Sequence, residues 1–388
     1  MLREVAIIGY LLFFKLFFTI FSLLPQQNKV CLVISFEENA LFLYRQLKGQ
    51  QKVVILHKTS LSEEFKKELD DTQSIPFESK GFANWLRSIY QLATAKWLIV
   101  DNYFGFLSTV KFKENVECIQ IWHAAGALKT FGLQDKSIKE RTPAAKRRFQ
   151  KVYNQFNQIV VGSEEMAVIF SDSFQVSLDK MLRTGIPRTD LFYDERLKQE
   201  CTIKFFKEYP ALFGKKLILY APTYRDGQLD NNQLHLDLQK MKQALGDRYS
   251  LLIKLHPAVQ TENQFEDMCP GFVYDLSAYK RVNELLVVAD YLITDYSSLP
   301  FEYALLDRPM IFYPYDLEEY RDQRGLMPDY QELVPGPIVY DTDQLIKVIE
   351  ENNFDFERIQ QFSNRWNKYS TGRSAENLVK YIMTEEQD

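Results

Sequence analysis

The chain has only four histidines, and two of them directly follow apolar β-branched runs. His123 follows CIQIW (118–122) and opens His123-Ala124-Ala125-Gly126, where small residues let another group come close to the imidazole. An imidazole with an ordinary pKa of about 6.5 is a neutral base at physiological pH, suited to taking a proton from a hydroxyl. His256 follows LLIKL (251–255) in the same way in the other half of the chain. A third element, Thr294-Asp295-Tyr296-Ser297-Ser298, closes the run YLITD and leads into a helical pattern. Hydroxyls there either cap the helix or, with the N–H groups at its start, hold a phosphate. Arg225 in APTYRD (221–226), and Arg321 and Arg324 in YRDQRG (320–325), carry guanidinium groups suited to two-pronged phosphate contact or to surface ion pairs. A base, hydroxyls and guanidiniums together describe the handling of a phosphorylated substrate. His123 and His256 sharing a metal is weakly supported, because no third ligand stands at a suitable spacing. His57 and His235 lack strand-end context and read as structural or surface residues.

Those groups need elements to position them. Short β-branched runs recur at 29–35, 52–56, 97–101, 118–122 and 158–162, and again at 216–220, 251–255, 291–295, 310–313 and 337–340. Runs without polar alternation, separated by helical patterns, predict parallel strands covered on both faces. The expectation is α/β architecture in two doubly wound, Rossmann-like domains facing a cleft, over residues 28–200 and 201–388. In open parallel sheets ligands bind beyond the carboxyl ends of the strands, where the histidines and serines fall. The chain contains neither GxGxxG after a strand nor GxxxxGK[ST], and no HExxH, GxSxG or kinase set, so the dehydrogenase, P-loop, zincin, hydrolase and kinase readings lose their main support.

With 46% hydrophobic and 26% charged residues among 388, and 15 Gly and 14 Pro, the composition is that of a folding globular chain. Net charge is −5, which provides no overall field for nucleic acid. Cys31, Cys118, Cys201 and Cys269 show no CxxC spacing and read as reduced thiols, placing the chemistry in the cytosol. Residues 1–27 are a separate segment. Val5–Leu24 is nearly all apolar, interrupted by Lys15, with Thr19, Ser22 and Gln26 continuing a polar stripe at helical spacing. That pattern favours a helix lying in a membrane interface over one spanning it, and Pro25 ends it. Between Lys129 and Lys151 eight basic residues, Lys146, Arg147 and Arg148 among them, face two acidic ones. Such a run is either a solvated helix face or a patch for anionic lipid headgroups or a lipid-linked pyrophosphate.

The motifs WHAAGALKTFG (122–132), TGIPRTDLF (184–192), YAPTYRD (220–226), IKLHP (253–257), TDYSSLPFEYALLDRPMIFYPYD (294–316), YRDQRG (320–325) and PGPIV (335–339) resemble the CDP-glycerol glycerophosphotransferase family of wall teichoic acid synthesis. The resemblance runs from about residue 29 to 380 and implies a GT-B-like fold with acceptor on the first domain and donor nucleotide on the second. It implies His123 as general base and His256 beside the donor pyrophosphate. It also implies that Ser297 and Ser298 bind that pyrophosphate, with Thr294, Gly126, Arg225, Arg321 and Arg324 in motifs that line the substrate pockets. The expected reaction is transfer of glycerol phosphate from CDP-glycerol to a hydroxyl of the lipid-linked disaccharide ManNAc-GlcNAc-pyrophosphoryl-undecaprenol, releasing CMP. The alternatives are a later short glycerol- or ribitol-phosphate transferase acting on a primed acceptor, and a GT-B glycosyltransferase using a nucleotide sugar. No cofactor is assigned, and dependence on a divalent cation such as magnesium stays open. The expected location is the cytoplasmic face of the cell membrane, held peripherally or monotopically on anionic lipid by Lys15, Lys146, Arg147 and Arg148, with other teichoic acid enzymes as partners. A non-catalytic envelope scaffold would leave the strand-end histidines and tandem serines without purpose.

Overall fold

Val, Ile and Leu runs buried on both faces make two wholly parallel sheets. The computed structural model describes residues 2–69, 74–78, 81–223, 225, 234–255, 264–327 and 329–384. By its contacts the chain divides into two units. The first comprises Met1–His123, Phe131–Asp190 and Lys368–Asp388, and the second comprises Ala124–Thr130 and Leu191–Asn367.

In chain order the first unit runs α1 (Leu2–Phe21), β1 (Gln27–Ile34), α2 (Glu37–Leu47), β2 (Lys52–His57), α3 (Glu63–Glu68), β3 (Ser74–Pro76), α4 (Phe82–Thr94), β4 (Ala95–Val100) and β5 (Glu117–Gln120). It continues with α5 (Pro143–Tyr153), β6 (Gln158–Val160), α6 (Glu164–Phe174) and β7 (Met181–Leu182). Its seven strands lie in the order β3-β2-β1-β4-β5-β6-β7. Successive strands leave the centre in opposite directions, so the order reverses between β1 and β4, where an open parallel sheet presents its binding crevice.

The second unit runs α7 (Glu195–Glu208), β8 (Lys216–Tyr220), α8 (Leu238–Leu245), β9 (Tyr249–Ile253), α9 (Gln264–Met268), β10 (Val273–Asp275), α10 (Val282–Val288) and β11 (Tyr291–Thr294). It continues with α11 (Leu299–Tyr303), β12 (Met310–Phe312), α12 (Leu317–Arg324), α13 (Tyr330–Leu333), α14 (Thr342–Glu351) and α15 (Phe356–Trp366). Five strands lie in the order β10-β9-β8-β11-β12, so the reversal falls between β8 and β11. The final helix, α16 (Ser374–Thr384), returns to the first unit, where both Asp190 carboxylate oxygens accept N–H groups of its first turn, from Ser374 and Ala375.

The sequence reasons for these elements are ordinary. Thr142, Ser163, Asp194, Asp341 and Asp355 cap helices through side-chain acceptors, and Pro143 stands at the first position of α5, where a missing N–H goes unnoticed. One expected strand does not form. The run at 337–340 makes only an isolated parallel bridge between Phe312 and Ile338. Pro337 offers its carbonyl to the Phe312 N–H but has no N–H of its own, so the ladder cannot extend.

The N-terminal helix is present and ends at Phe21, three residues before the expected limit. Gln26 therefore lies off the helix, its amide reaching the carbonyls of Ala95 and Asn115, and the polar stripe reduces to Lys15, Thr19 and Ser22. The aromatic face of α1 packs on α4 and the 105–112 loop: Tyr10 and Phe13 meet Trp85, Phe14 stacks on Phe106 at 4.9 Å, and Phe18 meets Phe112. Its other face carries Val5, Ile8, Leu12, Leu16 and Ile20, all exposed. By length and composition α1 is apolar enough to cross a membrane.

Candidate active site

At the carboxyl edge of the first sheet, the chain leaves β5 through Gln120, Ile121 and Trp122 and presents His123. Nδ1 of His123 lies 3.1 Å from the carbonyl oxygen of Asp101, the residue that follows β4. A carbonyl only accepts, so Nδ1 carries the proton, and in the neutral ring Nε2 is the basic nitrogen. The imidazole stacks on Trp122 at 4.4 Å and lies 5.0 Å from the Phe36 ring.

Phe36 is itself placed by Asp101. The Asp101 carboxylate accepts the N–H groups of Ser35 and Phe36 at 2.8–2.9 Å, fixing the turn between β1 and α2 at the point where strand order reverses. Burial pushes the Asp101 carboxyl up to about 7, against the pull of those N–H groups. Trp122 has φ +50°, a left-handed conformation that in a bulky residue costs about 1–3 kcal/mol and persists only where its surroundings impose it.

At the reversal point of the second sheet, the loops after β8 and β11 meet. The Asp295 carboxylate accepts the N–H groups of Thr223 and Tyr296 at 2.8 and 2.6 Å, and takes Nη1 of Arg225 at 2.5 Å. Nε and Nη2 of Arg225 make a two-pronged pair with Asp316 at 2.9 and 2.8 Å, and Nη1 also donates to the Thr223 carbonyl. Tyr296, Tyr315 and Tyr320 surround the guanidinium with ring centroids 4.9–5.3 Å away. Burial opposes its charge, but Asp295 and the Asp316 pair outweigh that and hold it firmly protonated. Burial likewise works against the Asp316 charge, and the Arg225 hydrogen bond overcomes it, keeping that carboxyl below its ordinary value.

Arg225 is thus occupied by two carboxylates and a carbonyl, and it organises the loops after β8 and β11 in place of the direct phosphate contact its motif suggested. Thr294 is also committed: fully buried, it donates its hydroxyl to the Ala221 carbonyl at 2.7 Å, tying β11 to the end of β8. Ser297 and Ser298 are half-buried beyond it, and the Ser297 hydroxyl oxygen accepts the Leu299 N–H at 3.3 Å. The Ser298 hydroxyl makes no capping bond to α11, and α11 is five residues long, so hydroxyls and not a long helix dipole would serve an anion here. Thr223 adds a buried hydroxyl oxygen with no hydrogen-bond partner among the described residues.

Gly126 serves a different end from the one its spacing suggested. A Cβ there would overlap the Phe301 ring of α11, so the group that closes on this glycine is a core side chain of the second unit and not a substrate. Arg321 pairs with Glu318 one turn away at 2.7–2.8 Å, and the Arg324 carbonyl accepts the Thr130 hydroxyl. His256 lies outside the described residues. His57 Nδ1 donates to the Thr59 carbonyl at 2.8 Å, and His235 stacks on Tyr315 at 3.7 Å. Lys15 is exposed on α1 and Arg147 on α5, Lys146 is half-buried, and Arg148 pairs with Glu4 at 3.0 and 3.2 Å, joining α5 to α1. No group of three metal-ligating residues occurs among the described residues.

Sequence reasoning missed Asp101, Asp295 and Asp316, although one signal was available. WLIVD and YLITD both end a buried run on aspartate, and the two aspartates occupy equivalent places in the two sheets.

Two all-parallel sheets, each with its polar groups at the reversal point, define a GT-B-like α/β fold. A solved structure of the wall teichoic acid polymerase TagF shares this fold at TM-score 0.78 and 24% identity, over 99% of this chain and 96% of that one. A UDP-GlcNAc 2-epimerase from Neisseria meningitidis shares it more distantly, at TM-score 0.59 and 14% identity over 92% and 100%. Residues 16–384 match the CDP-glycerol:poly(glycerophosphate) glycerophosphotransferase family, and the chain belongs to that family. It is 38% identical to the teichoic acid glycerol-phosphate primase of Bacillus subtilis (strain 168), over 92% of each chain, and 35% identical to that of Bacillus spizizenii, over 96% and 97%. The protein is an enzyme, a CDP-glycerol glycerophosphotransferase.

Proposed function

We propose that the enzyme acts in wall teichoic acid synthesis as a primase, transferring one glycerol phosphate from CDP-glycerol to the lipid-linked disaccharide ManNAc-GlcNAc-pyrophosphoryl-undecaprenol. An acceptor hydroxyl attacks the glycerol-bearing β-phosphorus, the bond from that phosphorus to the bridging oxygen breaks, and CMP leaves. His123 Nε2 takes the hydroxyl proton. Ser297, Ser298 and Thr223 of the second unit hold the donor pyrophosphate with His256, and Arg225 keeps their loops in place. Such a transfer depends on in-line positioning and on neutralising charge at the phosphoryl oxygens.

The observation that carries the reading is the Nδ1 hydrogen bond of His123, which fixes the tautomer a base requires. The primase step is supported by near full-length alignment with two primases, whereas a poly(glycerol phosphate) polymerase is matched over 43% of its length. A membrane-bound acceptor also suits the exposed apolar face of α1 and the basic α5 beside it, joined through Glu4 and Arg148, which would rest together on anionic lipid at the cytoplasmic face.

Purified protein is assayed for CMP release and product mass with CDP-glycerol or CDP-ribitol, on the bare disaccharide lipid and on the same lipid carrying one glycerol phosphate. One glycerol phosphate added to the bare acceptor is expected; turnover of the primed acceptor alone, or of CDP-ribitol alone, would move the enzyme to a later step. His123→Ala should lower kcat at least ~100-fold with donor binding retained. Activity within a few-fold of wild type would remove His123 from the base role.

A further inference from the structure

His123 can present Nε2 only while its ring stays docked on the Asp101 carbonyl, and that depends on a left-handed tryptophan immediately before it. Both backbone polar groups of Trp122 are engaged by buried amide side chains. The Trp122 N–H donates to Oε1 of Gln120 at 2.8 Å, and the Trp122 carbonyl accepts Nδ2 of Asn39 at 2.9 Å. Neither amide can turn over freely, because each is used at its other end. Gln120 Nε2 donates to the Asn102 carbonyl at 3.2 Å, and Asn39 Oδ1 accepts the Arg188 N–H at 2.9 Å. Gln120 is fully buried at the end of β5, and Asn39 is buried in the first turn of α2.

We propose that Gln120 and Asn39 are positioning residues for the transfer reaction, holding Trp122 left-handed so that His123 keeps the Nδ1–H tautomer. Gln120 does this from both sides of the critical bond. One end of its amide fixes Trp122, next to the donor His123, and the other fixes Asn102, next to the acceptor carbonyl of Asp101. A side chain that could only accept, or only donate, would hold one side and release the other. Without the bracket, Trp122 relaxes toward a negative φ, which its bulk favours, and the ring that follows it swings off the carbonyl. The inference rests on the reading of His123 as the base, but its primary measurement does not.

The test compares wild type, Gln120→Leu and Asn39→Asp in the full chain, with His123→Ala to assign the His123 signals. Asn39→Asp retains the acceptor for the Arg188 N–H while losing the donor to Trp122, and it serves if Gln120→Leu fails to fold. Nitrogen-15 spectra of labelled histidine report the tautomer directly. The expected result is a single Nδ1–H form of neutral His123 in wild type and a mixture of both forms in the variants. Alongside it, kcat falls ~10–100-fold with the KM for CDP-glycerol within twofold. Folded variants that keep the wild-type tautomer would overturn the proposal. A mixed tautomer with unchanged kcat would also overturn it, provided His123→Ala is inactive. If His123→Ala stays active, the base reading fails instead, and the tautomer still decides whether the amides position the ring.

Discussion

Asp101 and Asp295 stand directly after one of the two strands that flank the order reversal in their respective sheets, and each accepts backbone N–H from the loop that follows the other flanking strand, Ser35 and Phe36 after β1 and Thr223 after β8. The same residue in the same place has been put to two uses. Asp101 meets only backbone donors on the turn it holds and is pushed up to about 7 by burial, whereas Asp295 shares Arg225 with Asp316. The positions of the strand-end histidine His123 and of Ser297 and Ser298 were legible because the end of an apolar run marks the end of a buried strand. The burial of Arg225 was not legible, since its carboxylate partner Asp316 lies 91 residues away. Its ion pairs make a pH prediction. The folded-state pKa of Asp316 is depressed, so between that value and the ordinary value near 3.9 the unfolded chain binds more protons than the native one. The stabilisation is fully present above about pH 4 and disappears as pH falls below it. Thermal midpoints measured across this range should decline with acid in wild type and decline less in Asp316→Asn; parallel curves would show that the pair contributes little. Gly126→Ala pushes a methyl into Phe301 and should lower stability by about 1–3 kcal/mol, read by denaturant unfolding.

Among the elements, α1 has one apolar face packed on the first unit and one exposed, and single substitutions should separate packing from the proposed attachment. Phe14 is fully buried against Phe106, so Phe14→Ala should cost about 3–5 kcal/mol and lower the midpoint in any buffer. Leu16 is 57% exposed, so Leu16→Glu should leave the midpoint within a degree or two while lowering co-sedimentation with anionic vesicles. Equal vesicle binding by both proteins would disprove a role for this face in attachment. The longer strands, such as KLILY at 216–220, were readable from composition because burial on both faces leaves no polar alternation. The three-residue β3 and β10 and the two-residue β7 were not, being too short to carry a pattern, and PIVY misled because composition does not show a missing N–H. The helix α11 was legible in place but not in length.

At the scale of the whole molecule, ligand binding and chain order make separate predictions. A donor nucleotide that binds only the native state stabilises it by about 2.7 kcal/mol at a hundred times its dissociation constant. Cytidine nucleotides should therefore raise the thermal midpoint, and uridine or guanosine nucleotides should not; a larger shift with uridine nucleotides would favour a nucleotide-sugar glycosyltransferase. The return of the last helix could not be read from the sequence, because its apolar stripe would fit either sheet. Ala375, Leu378, Val379 and Ile382 are buried in the first unit, more than 180 residues after Asp190, whose carboxylate holds the start of α16. As the ribosome delivers the chain from its N-terminus, the first sheet emerges early and waits for its last helix. The second unit is nearly continuous, and from Leu191 to Asn367 it is available before α16 has been made. The usual order of synthesis, first unit folded first, is therefore reversed: the half bearing His123 is completed only once α16 has been made, so a product that stops before α16 lacks a finished first unit however well its second unit folds.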